Sequence, residues 1–255
     1  MTFAIIDKQD ELSRLIAEKI RSAISRTGEE ETKGVPDTVF VVGGDGTLLY
    51  AVHQYINELD RVRFYGIHTG TLGFLTDYKD SELDAFLRDY IDGNVKEQDY
   101  PLLEITAGEH IMYGLNEVRV ENMVRTQVID VIINGTLFET FRGTGLSVCT
   151  QLGSTAYNRS LGGAVVEDGL DVLQMCEVAG IHHIKFRSLG APIILGGNAQ
   201  IELRSKDYEG AMMGADSDLI ALHEEKSLRI RKSERKVRML KGREIPYFYR
   251  LRSLF

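Results

Sequence analysis

The sequence predicts two domains, an α/β domain at the amino-terminal end and a mostly β, sandwich-like domain after it. Up to about residue 95, short apolar runs alternate with stretches of helical periodicity, as in parallel strands covered by helices. Beyond residue 100, strand-like segments follow one another without long helices between them. A chain of 255 residues has room for two domains of ordinary size. We place the boundary near residues 94–101.

The first domain opens with a predicted strand at FAIID, residues 3–7. A helix is expected from about Asp10 to Gly28, with an apolar stripe made by Leu12, Leu15, Ile16, Ile20 and Ile24. The run Thr38–Val42 is short, apolar and β-branched, which indicates a strand buried on both faces.

Three more elements complete this domain. A second helix is predicted from the periodic positions Leu48, Leu49, Val52, Tyr55, Ile56 and Leu59. VRFYGIHT, residues 62–69, is a further strand. DSELDAFLRDYIDG, residues 80–93, is a third helix that Asp80 or Ser81 caps and Gly93 follows.

The second domain is predicted to consist mainly of strands, at residues 101–108, 110–120, 145–150, 191–197, 199–205 and 227–233. Asn134-Gly135 stands between alternating runs in VIDVIINGTLFETF and predicts a type I′ hairpin. LDVLQMCEVAG, residues 170–180, is interpreted as a short helix whose apolar positions are too many for a face exposed to solvent.

The net charge of −8 argues against a general nucleic-acid binder, because such proteins neutralise phosphates. Residues 228–255 are locally basic, and we interpret them as a solvated face and a segment returning to the first domain rather than a nucleic-acid tail. No apolar stretch is long enough to span a bilayer, and no signal-peptide pattern is expected. Cys149 and Cys176 fit buried free thiols in a reducing cytoplasm, and the histidines lack metal-ligand spacing.

A glycine loop, FVVGGDGTLL at residues 40–49, joins the predicted buried strand to the second helix. Ligands of open α/β sheets bind at this edge, and the N-terminus of a helix attracts phosphate. Gly43, Gly44 and Gly46 lack the Cβ atoms that would keep a phosphate away from the backbone. The loop is neither a P-loop nor a dinucleotide fingerprint, because no Gly-Lys-Ser/Thr follows and Leu49 replaces the third glycine.

Asp45 lies among these glycines, where a carboxylate is unfavourable for phosphate binding alone. It can act on a hydroxyl or on a metal ion, or it can merely stabilise the turn through its side chain.

Two motifs of the second half suit a polar ligand. Leu115-Asn116-Glu117 puts an amide beside a carboxylate, which fits a sugar or base edge, although an exposed strand edge is the alternative. Residues 153–163 collect Gly153, Ser154, Thr155, Tyr157, Asn158, Ser160, Gly162 and Gly163. A turn-rich surface loop is possible there, but the flanking apolar strands would bury the segment.

These motifs, in this order, resemble the NAD kinase family, closest to its short bacterial form. The matches are GGDGTLL (residues 43–49), HTGTLGF (68–74), LNE (115–117) and GSTAYNRSLGGAVV (153–166). Diacylglycerol kinases, sphingosine kinases and phosphofructokinases carry similar glycine loops. LNE followed by GSTAYN is therefore the more specific signal. The similarity extends through most of the chain.

The resemblance implies a kinase that transfers the γ-phosphate of ATP to the adenosine 2′-hydroxyl of NAD, forming NADP. It implies Mg²⁺ or another divalent cation with ATP, no metal-ligand set of the chain's own, and a cytoplasmic homodimer or homotetramer. Polyphosphate as the donor stays open. The implied domains are 1–97, with 236–255 returning to it, and 98–235, with NAD in a cleft that a neighbouring subunit helps to close.

Carried over by position, Asp45 would act on the 2′-hydroxyl, and Gly43, Gly44, Gly46 and Thr47 would bind phosphate. The residues implied to contact NAD are Asp45, Gly46, Leu72, Phe74, Asn116, Glu117, Arg142, Thr144, Leu152, Thr155, Ala156, Tyr157, Ser160, Ala179, Ile181 and Phe186. Asn116 and Glu117 would hold the ribose. Ile181 and Phe186 would complete a neighbour's site.

Three departures from the family pattern concern the dinucleotide pocket. Thr144-Gly145 replaces Asp-Gly, Thr150-Gln151-Leu152-Gly153 replaces Thr-Pro-(Thr/Ser)-Gly, and HHIKFR at residues 182–187 replaces NNRxYR. They predict altered ligand preference rather than another reaction. A soluble lipid kinase and an NAD-binding sensor with weakened activity are the alternatives.

Overall fold

The computed structural model describes residues 1–70, 73–181 and 186–253. In these residues the strands are β1 (Thr2–Asp7), β2 (Glu30–Glu31), β3 (Thr38–Val42), β4 (Arg63–His68), β5 (Tyr78–Lys79), β6 (Lys96–Ala107), β7 (His110–Gly114), β8 (Glu117–Glu121), β9 (Gln127–Ile133), β10 (Thr136–Gly143), β11 (Gly145–Thr150), β12 (Val172–Val178), β13 (Ile193–Gly196), β14 (Ile201–Arg204), β15 (Met212–Ala215), β16 (Asp218–Ala221) and β17 (Ser227–Lys241). The α-helices are α1 (Glu11–Ser25), α2 (Asp45–Gln54), α3 (Leu83–Ile91), α4 (Tyr157–Ser160) and α5 (Tyr247–Arg252), and short 3-10 turns cover Asp80–Glu82 and Leu152–Thr155.

The chain divides into two compact units, one made of Met1–Tyr100 with Arg235–Phe255 and the other of Pro101–Glu234. The first unit contains a parallel sheet in which β1 pairs with β2 and β3, and β3 pairs with β4. The last part of β17 joins β4, again in parallel. All five residues of β3 are buried, as its continuous apolar sequence predicts.

Helices cover the sheet of the first unit. α1 and α3 pack into one apolar cluster with the strands, where the rings of Tyr65 and Phe86 stack at 4.1 Å. α2 packs against β1 and β3 and buries Leu48, Ala51 and Val52. This layered α/β arrangement agrees with the predicted class, and it leaves the carboxyl ends of β1, β3 and β4 at one edge of the sheet.

The second unit is built from antiparallel strands in two sheets. One sheet has the order β13-β12-β11-β8-β15-β16, and in the other β10, β9, β14 and the first part of β17 are neighbours. Apolar side chains from both sheets form one core, as in a sandwich. Asn134 and Gly135 have φ values of +50° and +80°, which confirms the predicted type I′ turn between β9 and β10.

Residues 170–180 are not a helix, and this prediction is wrong. They contain β12, an interior strand that pairs with β11 and β13. Leu173 to Cys176 are all buried, so the run lacks the alternation that identifies a half-exposed strand. The apolar residues of this segment therefore belong to the unit's own sheet and give no support to a subunit interface.

Smaller differences concern the helices of the first unit. Leu12 and Leu15 are about half exposed, and α1 instead buries Ser13 and Ala17 beside Ile16, Ile20 and Ile24. The turn of 100° per residue places the small residues nearer the centre of the buried stripe. α2 ends at Gln54, before the predicted Leu59. Neither Asp80 nor Ser81 caps α3, because a 3-10 turn precedes it.

Candidate active site

The glycine loop lies where the predicted strand ends and α2 begins. Gly44 is the N-cap of α2 and Asp45 is its first residue. The first amide groups of a helix have no acceptor within the helix, and the helix dipole makes this end positive. The loop therefore offers a setting that favours an anionic group next to Asp45.

The three glycines of this loop differ in what surrounds the position of a side chain. A Cβ on Gly43 would lie 2.3 Å from the Thr47 hydroxyl oxygen, so Thr47 packs onto the strand end. A Cβ on Gly44 would lie 3.2 Å from the His68 imidazole. At Gly46 a Cβ would meet nothing within 4 Å. Packing within the chain thus accounts for the first two glycines, whereas the space at Gly46 is open to a ligand.

The Asp45 carboxylate is held by a second glycine loop. Its two oxygens accept the backbone N–H groups of Phe74 at 2.8 Å and Leu75 at 3.1 Å. Gly73 makes this approach possible, because a Cβ there would lie 2.2 Å from Asp45 Oδ1. Phe74, one of the predicted site residues, is therefore next to Asp45. Thr71 and the predicted site residue Leu72 lie outside the described residues.

His68 and Lys8 stand at the same sheet edge and were not predicted as site residues. The Lys8 N–H donates to Val42 O at 2.9 Å, which places Lys8 beside the start of the glycine loop. His68 Nδ1 lies 3.3 Å from the Thr76 hydroxyl. Burial is the first cause of the lowered pKa of His68, and Lys8 lowers it further while Asp45 opposes both. The signal in the sequence was their position at the carboxyl ends of predicted strands, because Lys8 follows β1 and His68 ends β4, and both strands flank β3.

In the second unit, Leu115 and Asn116 lie in the bend between β7 and β8, and Glu117 is the first residue of β8. One carboxylate, that of Asp216, accepts the N–H groups of Leu115 at 2.8 Å, Asn116 at 2.8 Å and Glu117 at 3.2 Å. Thr150 donates its hydroxyl proton to Leu115 O at 2.8 Å. The backbone of this predicted site is therefore fixed from two sides.

Glu117 has a buried carboxyl group that can accept a further hydrogen bond. Its side chain is 8% exposed, Arg119 Nη1 lies 3.3 Å from Oε1, and among the described residues Oε2 has no hydrogen-bond partner. Burial raises the pKa of Glu117 to about 7, and the negative charge of Asp216 adds to the shift. Such an oxygen is suited to accept a hydrogen bond from a ligand hydroxyl.

Tyr157 lies beside the same group of charges. Its hydroxyl donates to Glu121 Oε1 at 2.7 Å, and the Arg119 guanidinium stands 5.6 Å from its ring centroid. Burial is the main cause that raises the pKa of Tyr157 to about 12, and the hydrogen bond to Glu121 is the second cause. Arg119 also contacts Glu121, so it links Tyr157 to Glu117.

Several polar residues of 150–166 are structural. Gly153 packs onto Asn116, since a Cβ would lie 2.0 Å from its carbonyl oxygen. Ser154 accepts the Val166 N–H, and Asn158 donates to the carbonyls of Ser154 and Ala164. These buried groups shape the segment, as the flanking strands predicted. Besides Tyr157, four predicted NAD-contacting residues are half-buried or exposed here, namely Leu152, Thr155, Ala156 and Ser160.

The other predicted residues of this unit gather where β10 meets β11 and β12. Arg142 lies over the Phe186 ring at 5.2 Å, and its carbonyl accepts the Ile181 N–H at 2.6 Å. Ala179 has φ +46°, a left-handed conformation that is strained for alanine. The Thr144 hydroxyl donates to Val178 O at 3.0 Å. Ile181 is 42% exposed, so this cluster reaches the surface of the chain.

The basic carboxyl-terminal stretch is not simply a solvated face. Arg250 is 8% exposed and Lys241 has a side chain 12% exposed. Both contact the segment that holds Asp45, and sequence reasoning missed them because their partners lie more than 160 residues earlier.

In residues 1–70, 73–181 and 186–253, no three His, Cys, Asp or Glu side chains are grouped so that they could hold a metal ion. No helix in these ranges combines the length and the apolar character that crossing a bilayer needs.

Comparison with known proteins matches both halves of the chain to one family. Residues 6–95 match the ATP-NAD kinase N-terminal domain, and residues 115–242 match the ATP-NAD kinase C-terminal domain. An NAD kinase of Leuconostoc mesenteroides subsp. mesenteroides is 38% identical over 260 residues, covering 100% of this chain and 98% of that protein. NAD kinase 1 of Bacillus subtilis is 35% identical over 262 residues, with coverage of 100% and 98%.

Solved structures show the same fold. An NAD kinase from Archaeoglobus fulgidus, solved in complex with ATP, has a TM-score of 0.80, 25% sequence identity, and 99% coverage of both chains. Yeast NADH kinase complexed with NADH has a TM-score of 0.83 and covers 100% of this chain and 87% of that chain. At 17% identity the yeast enzyme supports the fold alone.

Proposed function

This chain belongs to the ATP-NAD kinase family, and we propose that it transfers the γ-phosphate of ATP to the adenosine 2′-hydroxyl of NAD, with Asp45 as the group that accepts the hydroxyl proton. Relatives that are 35–39% identical and are matched over nearly their whole length are NAD kinases. They support ATP-dependent NAD kinase activity, which is a phosphotransfer. The observation that carries the role of Asp45 is its carboxylate, fixed by two amide groups beside the open space at Gly46.

In the proposed reaction, the 2′-oxygen forms a bond to the γ-phosphorus while the bond to the β,γ-bridging oxygen breaks and ADP leaves. Such transfers have loose transition states, so positioning and charge neutralisation supply most of the rate. The first turn of α2, with Gly43, Gly44, Gly46 and Thr47, is the proposed phosphate site. Lys8 and His68 are additional candidates there, because both stand next to the glycine loop.

On the nucleotide side, Asn116 and Glu117 are proposed to hold the ribose. The unpartnered Glu117 Oε2 supports this role, because a buried acceptor gains most from a hydroxyl donor. Tyr157 offers a ring to stack on adenine, with Thr155, Ala156 and Ser160 around it. Phe74, Leu72 and Leu152 are proposed to complete the apolar part of the nucleotide contacts.

We also propose that the protein is a homodimer or homotetramer, that Arg142, Thr144 and Ala179 contact NAD, and that Ile181 and Phe186 complete a neighbour's site. The cluster around Ile181 reaches the surface, which supports this proposal. Light scattering at the assay concentration is the test, and a fully active monomer would contradict the proposal.

Mg²⁺ is proposed to enter with ATP. It prefers oxygen ligands and commonly binds through substrate phosphates and one or two carboxylates, so Asp45 beside the phosphate site is a suitable donor. Bound there, the cation would neutralise charge on the transferred group. Polyphosphate as an alternative donor, the cytoplasmic location, and the assignment of 1–97 with 236–255 and of 98–235 as domains stay predictions.

The decisive variant is Asp45→Asn, assayed by NADP formation from ATP, Mg²⁺ and NAD. It keeps the size and one acceptor oxygen but removes the base, so turnover is expected to fall by ~10² or more while NAD binding stays within a few-fold. Asp92→Asn, on the exposed surface of the same unit, is the matched control. Near-normal turnover of Asp45→Asn would sink the assignment.

The same assay tests the alternatives from the sequence. The relatives and neighbours described above are NAD or NADH kinases, which gives no support to a lipid kinase. An inactive sensor would bind NAD but form no NADP in the unmodified chain.

A further inference from the structure

The segment Gly73–Asp77 has two differently used sides. On one side, the amide groups of Phe74 and Leu75 hold the Asp45 carboxylate. On the other side, its carbonyl groups accept hydrogen bonds from cationic side chains near the end of the chain. The position of the Asp45 carboxylate therefore depends on how firmly those cations hold this segment.

Arg250 makes the largest share of these contacts. Its Nη1 donates to Gly73 O at 3.0 Å and also to Thr76 O, and its Nη2 donates to the Asp77 carboxylate. A planar guanidinium can satisfy several acceptors in one fixed geometry, which an ammonium group cannot reproduce.

Lys241 and Arg243 complete the arrangement. Lys241 Nζ donates to Leu75 O at 3.1 Å and to Asp77 Oδ1 at 3.2 Å. Leu75 thus joins the two sides directly, because its N–H holds Asp45 and its carbonyl oxygen is held by Lys241. Arg243 Nε donates to Asp77 O at 2.8 Å.

Burial makes these contacts more than surface ion pairs. Asp77 is 2% exposed and Arg250 8% exposed. Charges removed from water in this way depend on their partners, and loss of one partner leaves an uncompensated charge. Exposed ion pairs of the same kind contribute little.

The short helix α5 has no other buried residue than Arg250. Phe248 and Tyr249 are 61% and 59% exposed, so two of the three aromatic residues of α5 face solvent. Tyr247 contacts the Phe74 ring at a centroid distance of 5.9 Å, which is again a contact to the segment that holds Asp45. Arg250 and Tyr247 of α5 thus both contact residues 73–77.

We propose that Arg250, supported by Lys241 and Asp77, is a positioning residue for phosphoryl transfer, which aims the Asp45 carboxylate through the backbone of Gly73–Asp77. The proposal rests on the role given to Asp45 above. The hydrogen bonds of Arg250 go to Gly73, Thr76 and Asp77, so it acts on Asp45 through this segment.

The test compares Arg250→Ala with Arg252→Ala, which removes the same charge from an exposed position of the same helix. Arg250→Ala is expected to lower kcat by roughly tenfold to a hundredfold, because a small displacement of a reacting group has effects of this size. The KM values for NAD and ATP are expected to stay within about threefold. Arg252→Ala is expected to match the unmodified enzyme.

Combining Arg250→Ala with Asp45→Asn distinguishes a positioning role of Arg250 from a merely stabilising one. If Arg250 acts through Asp45, Arg250→Ala costs little further turnover once Asp45 is already replaced. Multiplied losses in the double variant, or a normal kcat of folded Arg250→Ala, overturn the proposal. Should Arg250→Ala fail to fold, Arg250→Lys takes its place and is expected to show a smaller kcat loss with the same non-additivity.

The two hypotheses fail differently. Normal turnover of Asp45→Asn rejects the role of Asp45 and with it this inference. An inactive Asp45→Asn together with a fully active Arg250→Ala rejects only the positioning role.

Discussion

Glu117 and Asp216 hold each other at the start of β8 by two hydrogen bonds, each donated by the backbone N–H of one residue to an oxygen of the other. The Glu117 N–H donates to Asp216 Oδ1 at 3.2 Å, and the Asp216 N–H donates to Glu117 O at 3.0 Å. Both residues are about 6% exposed, so two carboxyl groups share a buried site with one cation, Arg119, beside Glu117. This relationship makes the stability of the protein depend on pH, and it fixes the backbone at the start of β8.

The pH dependence of stability follows from Glu117. Its pKa is about 7 in the folded chain against 4.5 in the reference state, so the folded state binds more protons between these values. The free energy of unfolding therefore falls as pH rises from about 4.5 to about 7, with no further contribution above that range. Urea unfolding of the unmodified protein and of Glu117→Gln at several pH values measures the effect.

As pH rises across this window, the free energy of unfolding of the unmodified protein is expected to fall by on the order of 2–3 kcal/mol relative to that of Glu117→Gln. Glu109→Gln, on the exposed turn after β6, is the control and should follow the unmodified protein. Parallel curves for all three proteins contradict the raised pKa.

Asp216→Asn is expected to loosen the bend at Leu115-Asn116 and the start of β8 at Glu117. One Asp216 oxygen accepts the Leu115 N–H and the other accepts those of Asn116 and Glu117, so the amide group of asparagine must turn its NH₂ toward a donor. We expect a stability loss of ~1–3 kcal/mol, since buried polar groups lose partners. The KM for NAD should rise more than kcat falls.

Asp218→Asn, two residues further in exposed β16, is the matched control for thermal unfolding and kinetics. An Asp216→Asn variant with unchanged stability and unchanged KM shows that the turn holds its shape without the carboxylate.

Much of the fold was predictable because local sequence determines it. β3 is buried on both faces and reads as a continuous apolar run, and Asn134-Gly135 requires the positive φ values of a type I′ turn. β12 misled the prediction because both of its faces are covered. Gln174 and Cys176 contact Ala164 and Asn158 on one side, and Leu173 and Met175 enter the sandwich core on the other.

The supports of the site were not predictable from local patterns. Asp216 reaches Leu115 across 101 positions of sequence, and Arg250 reaches Asp77 across 173. Neither contact leaves a periodicity or spacing in the sequence. Arg250 stands in a stretch of alternating basic residues that resembles any solvated surface. Asp45, in contrast, was recognisable because glycines on both sides imply close approach to the backbone.

Gly46→Ala is expected to separate stability from activity. A Cβ at Gly46 meets no protein atom within 4 Å, and alanine is favoured over glycine in a helix by about 1 kcal/mol. The variant should therefore unfold at the same or a higher temperature than the unmodified chain. If phosphate occupies the open space, the KM for ATP rises by roughly tenfold or kcat falls by a similar factor.

Gly196→Ala is the control, because a Cβ there also meets nothing within 4 Å and the residue lies in the second unit. Normal kinetics of a stable Gly46→Ala variant would place the phosphate elsewhere than on the first turn of α2.

The last prediction concerns discrimination between NAD and NADH. Oxidised NAD carries a positive charge on its nicotinamide ring, and the family resemblance places an aspartate where this chain has Thr144. The Thr144 hydroxyl is engaged with Val178 O at 3.0 Å, so it supplies no charge and little free hydrogen-bonding capacity. We expect this chain to discriminate weakly between the two nucleotides.

Thr144→Asp tests this expectation, with Thr144→Asn as a neutral variant of the same shape. Aspartate loses the hydroxyl donor to Val178 O, so some loss of stability, ~1 kcal/mol, is expected. The ratio of kcat/KM for NAD to that for NADH is insensitive to this loss, because both substrates meet the same folded enzyme. A charge pairing in a partly buried pocket should raise the ratio several-fold in Thr144→Asp. The asparagine variant should leave the ratio unchanged. Equal ratios in the aspartate and asparagine variants mean that charge at position 144 does not reach the nicotinamide.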